Sequence, residues 1–361
     1  MARAYNFNAG PAALPLEVLQ KAQEQLVDYN GIGMSVMEIS HRSKEFEAIN
    51  YAAQQLVSEL LDIPYGYKVL FLQGGASTQF AMIPMNLLRE GRVGAYVHTG
   101  SWAEKAYQEA KLFGEAVLAA SGEDNNFTAI PDCNGLSLPD NAAYLHITSN
   151  ETIGGIQFDA FPETGAVPLI ADMSSDIMCR PIDVSQFSMI YAGAQKNLGP
   201  SGVTLVIMRE ELLEDLPKQL ATMLRYGTHA DNNSLYNTPP AYSVYMVKLV
   251  LEWLKEAGGL EQVERYNRNK TKLIYDVIDK SDGFYQGVAA DASRSIMNIT
   301  FRMRSEQLER LFIKESEHAG FVGLKGHRSV GGLRASTYNA VPEQSCWALS
   351  EFMLDFARRN G

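Results

Sequence analysis

In the stretch Ser188 to Gly202, SMIYAGAQKNLGPSG, an apolar run leads straight into Gln195-Lys196-Asn197 and then into a Gly/Pro turn. A lysine at the carboxyl end of a buried strand is out of place for a residue that ordinarily stays in water. Two readings stand for Lys196: a strand cap whose amine reaches solvent, or a desolvated amine of lowered pKa that forms a Schiff base with a carbonyl. Upstream, Val167-Pro168-Leu169-Ile170-Ala171-Asp172 is a second apolar run that ends in a carboxylate. By itself Asp172 reads as the cap of the element that follows. Paired with Lys196, it suits an acid that keeps a pyridinium nitrogen protonated while the lysine takes the aldehyde of pyridoxal phosphate.

Two further junctions ask for the same ligand. Tyr67 to Leu72 runs into Gln73-Gly74-Gly75-Ala76-Ser77-Thr78-Gln79, where glycines let the backbone approach closely and a helix N-terminus offers free N–H groups to a phosphate. The pattern lacks the lysine of a GxxxxGK[ST] loop, and an ordinary strand-to-helix turn explains it equally. One of the three tryptophans, Trp102, follows the run that ends at His98. It is either core filling or a platform on which a flat ring stacks.

The elements that must position these residues are short apolar runs alternating with helical patterns. The runs are Tyr67 to Leu72, Gly94 to His98, Tyr144 to Thr148, Val167 to Asp172, Met189 to Ala192 and Val203 to Met208. Continuous apolar strands between helices predict an α/β domain with a mostly parallel sheet covered on both faces, its ligands at the carboxyl ends of the strands. Pro200-Ser201-Gly202 leaves no room for a helical crossover, so the last strand is expected to be antiparallel. Beyond about Gly258 the pattern changes to a charged helix (Leu260 to Val277), a strand (Ile296 to Phe301) and helices Ser305 to Ala319 and Glu343 to Arg358. This division predicts a large cofactor-binding domain over 16–260 and a smaller α+β domain made of 1–15 and 261–361.

Composition narrows the function classes. The 361 residues are 46% hydrophobic and 20% charged, enough apolar surface for a sizeable core, and 31 basic against 42 acidic residues leave a net charge of −11. That balance disfavours nucleic acid and anionic membranes as partners, so any anionic ligand needs a local basic cluster. Cys133, Cys179 and Cys346 are odd in number and far apart, with no CxxC pair and no histidine at metal-ligand spacing, which argues against a disulfide scaffold or a metal site. With no apolar leader at the N-terminus and no membrane-length apolar run, a cytoplasmic protein is expected.

Taken with the wider motifs, the chain resembles the class V pyridoxal-phosphate-dependent aminotransferases of the aspartate-aminotransferase fold (fold type I), and within them the phosphoserine aminotransferase branch. The resemblance runs from Asn6-Phe7-Asn8-Ala9-Gly10-Pro11-Ala12 through Ser40-His41-Arg42-Ser43, Gly74-Gly75-Ala76-Ser77, Gly100-Ser101-Trp102 and Gly193-Ala194-Gln195-Lys196-Asn197. It continues to Tyr236-Asn237-Thr238-Pro239-Pro240 and His327 to Ser336. It implies that Lys196 is the Schiff-base lysine, that Asp172 pairs with the ring nitrogen, that Trp102 stacks on the ring and that Thr152 bonds the ring hydroxyl oxygen. Ala76, Ser77 and Gln195 would hold the cofactor phosphate, joined by Asn237 and Thr238 of a second subunit, so that a homodimer shares its active sites. Arg334 would bind the substrate α-carboxylate, and His41, Arg42, His327 and Arg328 would surround the substrate phosphate or the glutamate side chain. Members of the family often carry serine where this chain has Asn8-Ala9.

The implied reaction is reversible amino transfer from L-glutamate to 3-phosphohydroxypyruvate by a ping-pong cycle, in serine biosynthesis. The branch also handles a longer phosphorylated hydroxythreonine on the way to pyridoxine. Rival readings are a serine:glyoxylate aminotransferase or a cysteine desulfurase of the same fold, and a noncatalytic nucleotide-binding α/β protein. A desulfurase needs a reactive cysteine on a mobile loop, whereas Cys346 falls in the final predicted helix.

Overall fold

A computed structural model describes residues 3–214 and 216–361. Seven strands form the central sheet: Tyr67–Leu72 (β1), Val93–His98 (β2), Glu115–Ser121 (β3), Ala142–Thr148 (β4), Leu169–Asp172 (β5), Met189–Gly193 (β6) and Thr204–Arg209 (β7). Their spatial order is β1-β7-β6-β5-β4-β2-β3. β7 runs antiparallel to both of its neighbours, as the short Pro200-Ser201-Gly202 connection predicts, and every other pairing is parallel. Six of the strands are those expected from the apolar runs. The seventh, β3, has the sequence EAVLAAS and pairs only with β2 at the sheet edge. Alanine is a weak strand former and the strand is only half-buried, so it carries no strong local signal.

The two-residue period of a strand splits each run between two cores. Val97, Leu145, Ile147, Ala171 and Ile190 face one side with helices Lys44–Leu60 and Ala241–Glu256. Tyr96, Tyr144, Ile170, Met189 and Tyr191 face the other with helices Gly75–Leu87 and Ser101–Ala110. Both faces being covered, β4 and β6 are buried along their whole length, which is why they read as continuous rather than alternating apolar runs.

A second core gathers the antiparallel strands Tyr285–Gly287 (β8), Asn298–Met303 (β9) and Leu333–Ser336 (β10) with helices Gly259–Asp279, Glu306–His318 and Glu343–Asn360. The helix over 306–318 starts where Ser305 caps it, its hydroxyl accepting the Leu308 N–H at 3.3 Å. The N-terminal strand Tyr5–Asn6 pairs in parallel with Phe321–Val322, and Phe7 and Ala13 are buried in this second core.

Candidate active site

Strand register brings the chemistry together. Thr148 and Asp172 end β4 and β5 and lie side by side with Tyr191 of β6, and the chain leaving β6 after Gly193 presents Gln195 and Lys196 to the same cavity. Lys196 Nζ donates to Thr152 Oγ1 at 2.8 Å. Desolvation lowers its pKa to about 8, against the opposing pull of the Asp172 and Glu151 carboxylates. Asp172 is buried, and that burial raises its pKa. Its Oδ1 accepts the Ser174 N–H at 2.9 Å and the Ser174 hydroxyl at 2.6 Å, which fixes the carboxyl plane. Of the two readings open for Lys196, the desolvated amine is the one this geometry supports.

Two helix N-termini point at the same cavity and are treated differently. At the helix over 101–110 the buried Glu151 carboxyl group accepts the N–H groups of Trp102 at 3.1 Å and Ala103 at 2.9 Å, so the protein fills that helix end with an acceptor of its own. A Cβ on Gly100 would lie 2.9 Å from Glu151 Cδ, and only glycine leaves room for this cap. The helix over 75–87 has no side-chain cap and no acidic residue in its first turn. It starts from Gly74 in the left-handed region (φ +94°), and a Cβ on Gly75 (φ +67°) would meet nothing within 4 Å. An uncapped helix N-terminus with open space before it is a ready anion site.

Lys196, Asp172, Trp102, Thr152, Ala76 and Ser77 line one cavity of about 380 Å³, closed further by Gln195, Ala9, Gly10 and Arg334. Pyridoxal phosphate fits this donor set. The open helix end suits its phosphate, the buried carboxylate its ring nitrogen, the Trp102 ring (centroid 5.8 Å from Lys196 Nζ) its flat face, and the lowered amine its aldehyde. Trp102 Nε1 and Arg334 Nε are buried without a hydrogen-bond partner among the described residues, polar capacity of the kind a bound ligand satisfies. Gln195 folds back over Gly193, where a Cβ would lie 2.7 Å from its Oε1.

Arg334, on β10, donates from Nη1 to the Thr152 carbonyl at 3.1 Å. With His327 it lines both this cavity and an adjoining one of about 530 Å³. His41, Arg42, Arg328, Asn237 and Thr238 line neither cavity of their own chain. Arg42 and Thr238 are exposed, and His41 Nε2 is buried without a hydrogen-bond partner among the described residues. Ala9 lines the cavity, whereas Asn8 does not.

Several contributors carry no signal in sequence. Glu151 precedes Thr152 without any capping spacing of its own. Tyr191 pairs with Asp172 across neighbouring strands and its hydroxyl meets His146 Nε2 at 2.9 Å; burial holds the His146 pKa down to about 3, so its imidazole is neutral. Asn150 Nδ2 donates to Ser175 Oγ and Asn298 Oδ1, each at 2.8 Å. Asn298 Nδ2 donates to Ser336 Oγ at 3.0 Å, and Tyr338 donates its hydroxyl to the Ala9 carbonyl at 2.9 Å. These buried bonds tie the antiparallel sheet to the cavity floor. The cysteines take no part: Cys179 and Cys346 are buried, and desolvation pushes Cys133 up to about 11 and Cys346 to about 12.

The family model for aminotransferase class-V matches residues 4–347. A phosphoserine aminotransferase of Niallia circulans is 64% identical over 359 residues, 99% of each chain. Among solved structures, phosphoserine aminotransferase from Bacillus circulans subsp. alkalophilus superposes with a TM-score of 0.98 at 64% identity, covering 99% of both chains. A pyridoxal-phosphate-bound phosphoserine aminotransferase from Trichomonas vaginalis superposes with a TM-score of 0.89 at 36% identity, covering 98% of this chain and 100% of that one.

Proposed function

The chain belongs to the aminotransferase class-V family, and on that footing we propose how its residues divide the work of amino transfer. The enzyme is a pyridoxal-phosphate-dependent transaminase that carries the amino group of L-glutamate to 3-phosphohydroxypyruvate, giving 2-oxoglutarate and O-phospho-L-serine. The desulfurase, serine:glyoxylate and noncatalytic readings are not favoured. The observation that carries the assignment of roles is the meeting of Lys196, Asp172 and an uncapped helix N-terminus around one cavity.

When bound, pyridoxal phosphate supplies the carbonyl that takes up the amino group and the electron sink for charge developing at the substrate α-carbon. Asp172, held by Ser174, keeps the ring nitrogen protonated. Gly75, Ala76 and Ser77 receive the phosphate at the helix end, with Gln195 beside them, and Thr152 takes the ring hydroxyl oxygen. Trp102 covers one ring face and excludes water from it. Lys196 Nζ takes the substrate α-proton and would deliver it to the carbon that bore the cofactor's aldehyde, two atoms away across the nitrogen. Its pKa of about 8 leaves a usable fraction of neutral amine at physiological pH. Arg334 grips the α-carboxylate common to both substrates, with Nη1 already aligned by the Thr152 carbonyl. The amino group stays with the enzyme after 2-oxoglutarate leaves and before the second substrate enters the same cavity, so the cycle is ping-pong.

The positions of His41, Arg42, Asn237 and Thr238 support a homodimer in which a second copy completes each site. None of the four lines its own chain's cavity, and the apolar side chains beside them are open, Met37 at 58% and Tyr236 at 47% exposure. The separate cores support a large domain over 16–260 and a small one from 1–15 and 261–361. No helix among the described residues is long and apolar enough to cross a membrane, which agrees with a cytoplasmic enzyme.

The visible spectrum of the cofactor-loaded protein tests the substrate assignment. Glutamate is expected to shift it, and 3-phosphohydroxypyruvate, unlike unphosphorylated hydroxypyruvate, to reverse the shift. Lys196→Ala is expected to lower turnover by about 10³ or more; turnover comparable with the parent would overturn the lysine's role.

A further inference from the structure

Arg302 lies on β9 and lines the adjoining cavity of about 530 Å³, outside the one that holds Lys196 and Asp172. Its Nε donates to Glu309 Oε1 at 2.8 Å, and the same oxygen accepts the Met303 N–H at 3.2 Å. Glu309 sits in the first turn of the helix over 306–318 and its side chain is 8% exposed, so it is a fixed anchor. From the other side of the guanidinium, Nη1 donates to the Val330 carbonyl at 2.8 Å. Val330 belongs to the turn that carries His327 and Arg328.

The turn is shaped around this arginine. Gly331 and Gly332 both adopt left-handed φ (+69° and +68°). A Cβ on Gly332 would lie 2.6 Å from Arg302 Cδ, and one on Gly331 would lie 3.5 Å from Nη1. The turn closes on itself through Gly331 N–H to the His327 carbonyl at 2.8 Å and Gly326 N–H to the Gly332 carbonyl at 2.9 Å. Among the described residues, the hydrogen bonds of 327–331 stay within the turn except the one from Arg302 to the Val330 carbonyl, which joins the tip to a buried anchor.

We propose that Arg302, braced by Glu309, is a positioning residue that sets the height of the His327–Gly332 turn over the substrate cavity. The guanidinium acts as a two-sided fork, one edge on Glu309 and one on the turn, which a lysine ammonium on a flexible stem does not reproduce. This rests on the reading that His327 and Arg328 bind the substrate phosphate or the glutamate side chain.

The test compares Arg302→Gln, Arg302→Lys, Glu309→Ala and the Arg302→Gln/Glu309→Ala double variant in the cofactor-loaded enzyme. Each single variant is expected to raise KM for 3-phosphohydroxypyruvate about tenfold and leave kcat within about twofold. The double variant is expected to do no more than either alone, because both act through one contact. Hydrogen exchange at the 326–332 amides is expected to quicken in each. Unchanged exchange there, or quickened exchange with an unchanged KM, overturns the proposal, as does full recovery of KM in Arg302→Lys. His327→Ala run alongside isolates the underlying reading: if it leaves KM for the phosphorylated substrate unchanged, that reading fails, and the exchange result still decides whether Arg302 holds the turn.

Discussion

The carboxylate of Glu151 accepts the backbone N–H of Trp102 at 3.1 Å, which places a titratable group at the start of the helix that presents the tryptophan to the cavity. Burial raises this carboxyl to about 7 from 4.5, in spite of the two N–H groups that favour its ionised form. The unfolded chain therefore releases the proton near pH 4.5, and the folded chain keeps it to about 7. The contribution to stability is complete below 4.5 and is lost as pH rises through 7.

Glu151→Gln removes that titration. In urea unfolding of the cofactor-free chain, the parent is expected to lose about 3 kcal/mol relative to Glu151→Gln between pH 4.5 and 7. Parallel stability profiles for the two proteins would show that Glu151 titrates normally.

The lowered pKa of Lys196 governs cofactor uptake. Only the neutral amine attacks an aldehyde, so the rate at which the cofactor-free chain takes up pyridoxal phosphate is expected to rise about tenfold per pH unit below 8 and to level off above it. A rate still climbing toward pH 10 would mean that the cavity does not desolvate the amine.

Gly75→Ala separates the anion site from the fold. The left-handed φ costs roughly 1 kcal/mol for an alanine, and the added methyl meets no protein atom within 4 Å. The variant is expected to fold with a modest loss of stability while its affinity for pyridoxal phosphate falls about tenfold or more, read by equilibrium titration of the visible band. Undiminished affinity would place the phosphate elsewhere.

Shared sites predict complementation. Lys196→Ala chains and Asn237→Ala/Thr238→Ala chains, each impaired at low cofactor concentration, are expected to recover up to about a quarter of parental activity when unfolded together and refolded. One of the two sites in every mixed dimer then has both its lysine and its partner residues intact. Activity equal to the average of the separate proteins would exclude a site shared in this way.

The strand ends that carry Lys196 and Asp172 were legible because burial on both faces of a parallel sheet leaves continuous apolar runs, and a charged residue terminating such a run is conspicuous. The same logic identified the Gly74-Gly75 turn and Trp102 at strand-to-helix junctions. The edge strand Glu115–Ser121 escaped it because alanines half-exposed at an edge have no pattern that distinguishes them from a loop. Local sequence thus determined the sheet, its antiparallel last strand and the residues with reactive groups.

Tertiary structure alone decided which of those groups meet. His41, Arg42, His327, Arg328 and Arg334 are equivalent as basic residues in sequence, yet of these five His327 and Arg334 alone line the two adjoining cavities of the site. That outcome depends on Arg334, on β10, reaching the Thr152 carbonyl 182 residues away in the chain. Glu151 became a helix cap, and Asn150 and Asn298 a bridge between the sheets, through contacts that span 48 and 148 residues of chain. Arg302 became the brace of a substrate turn across 28. Hydrogen bonds over such separations follow from the packing of whole elements, whose energy is not written in any local pattern of residue types.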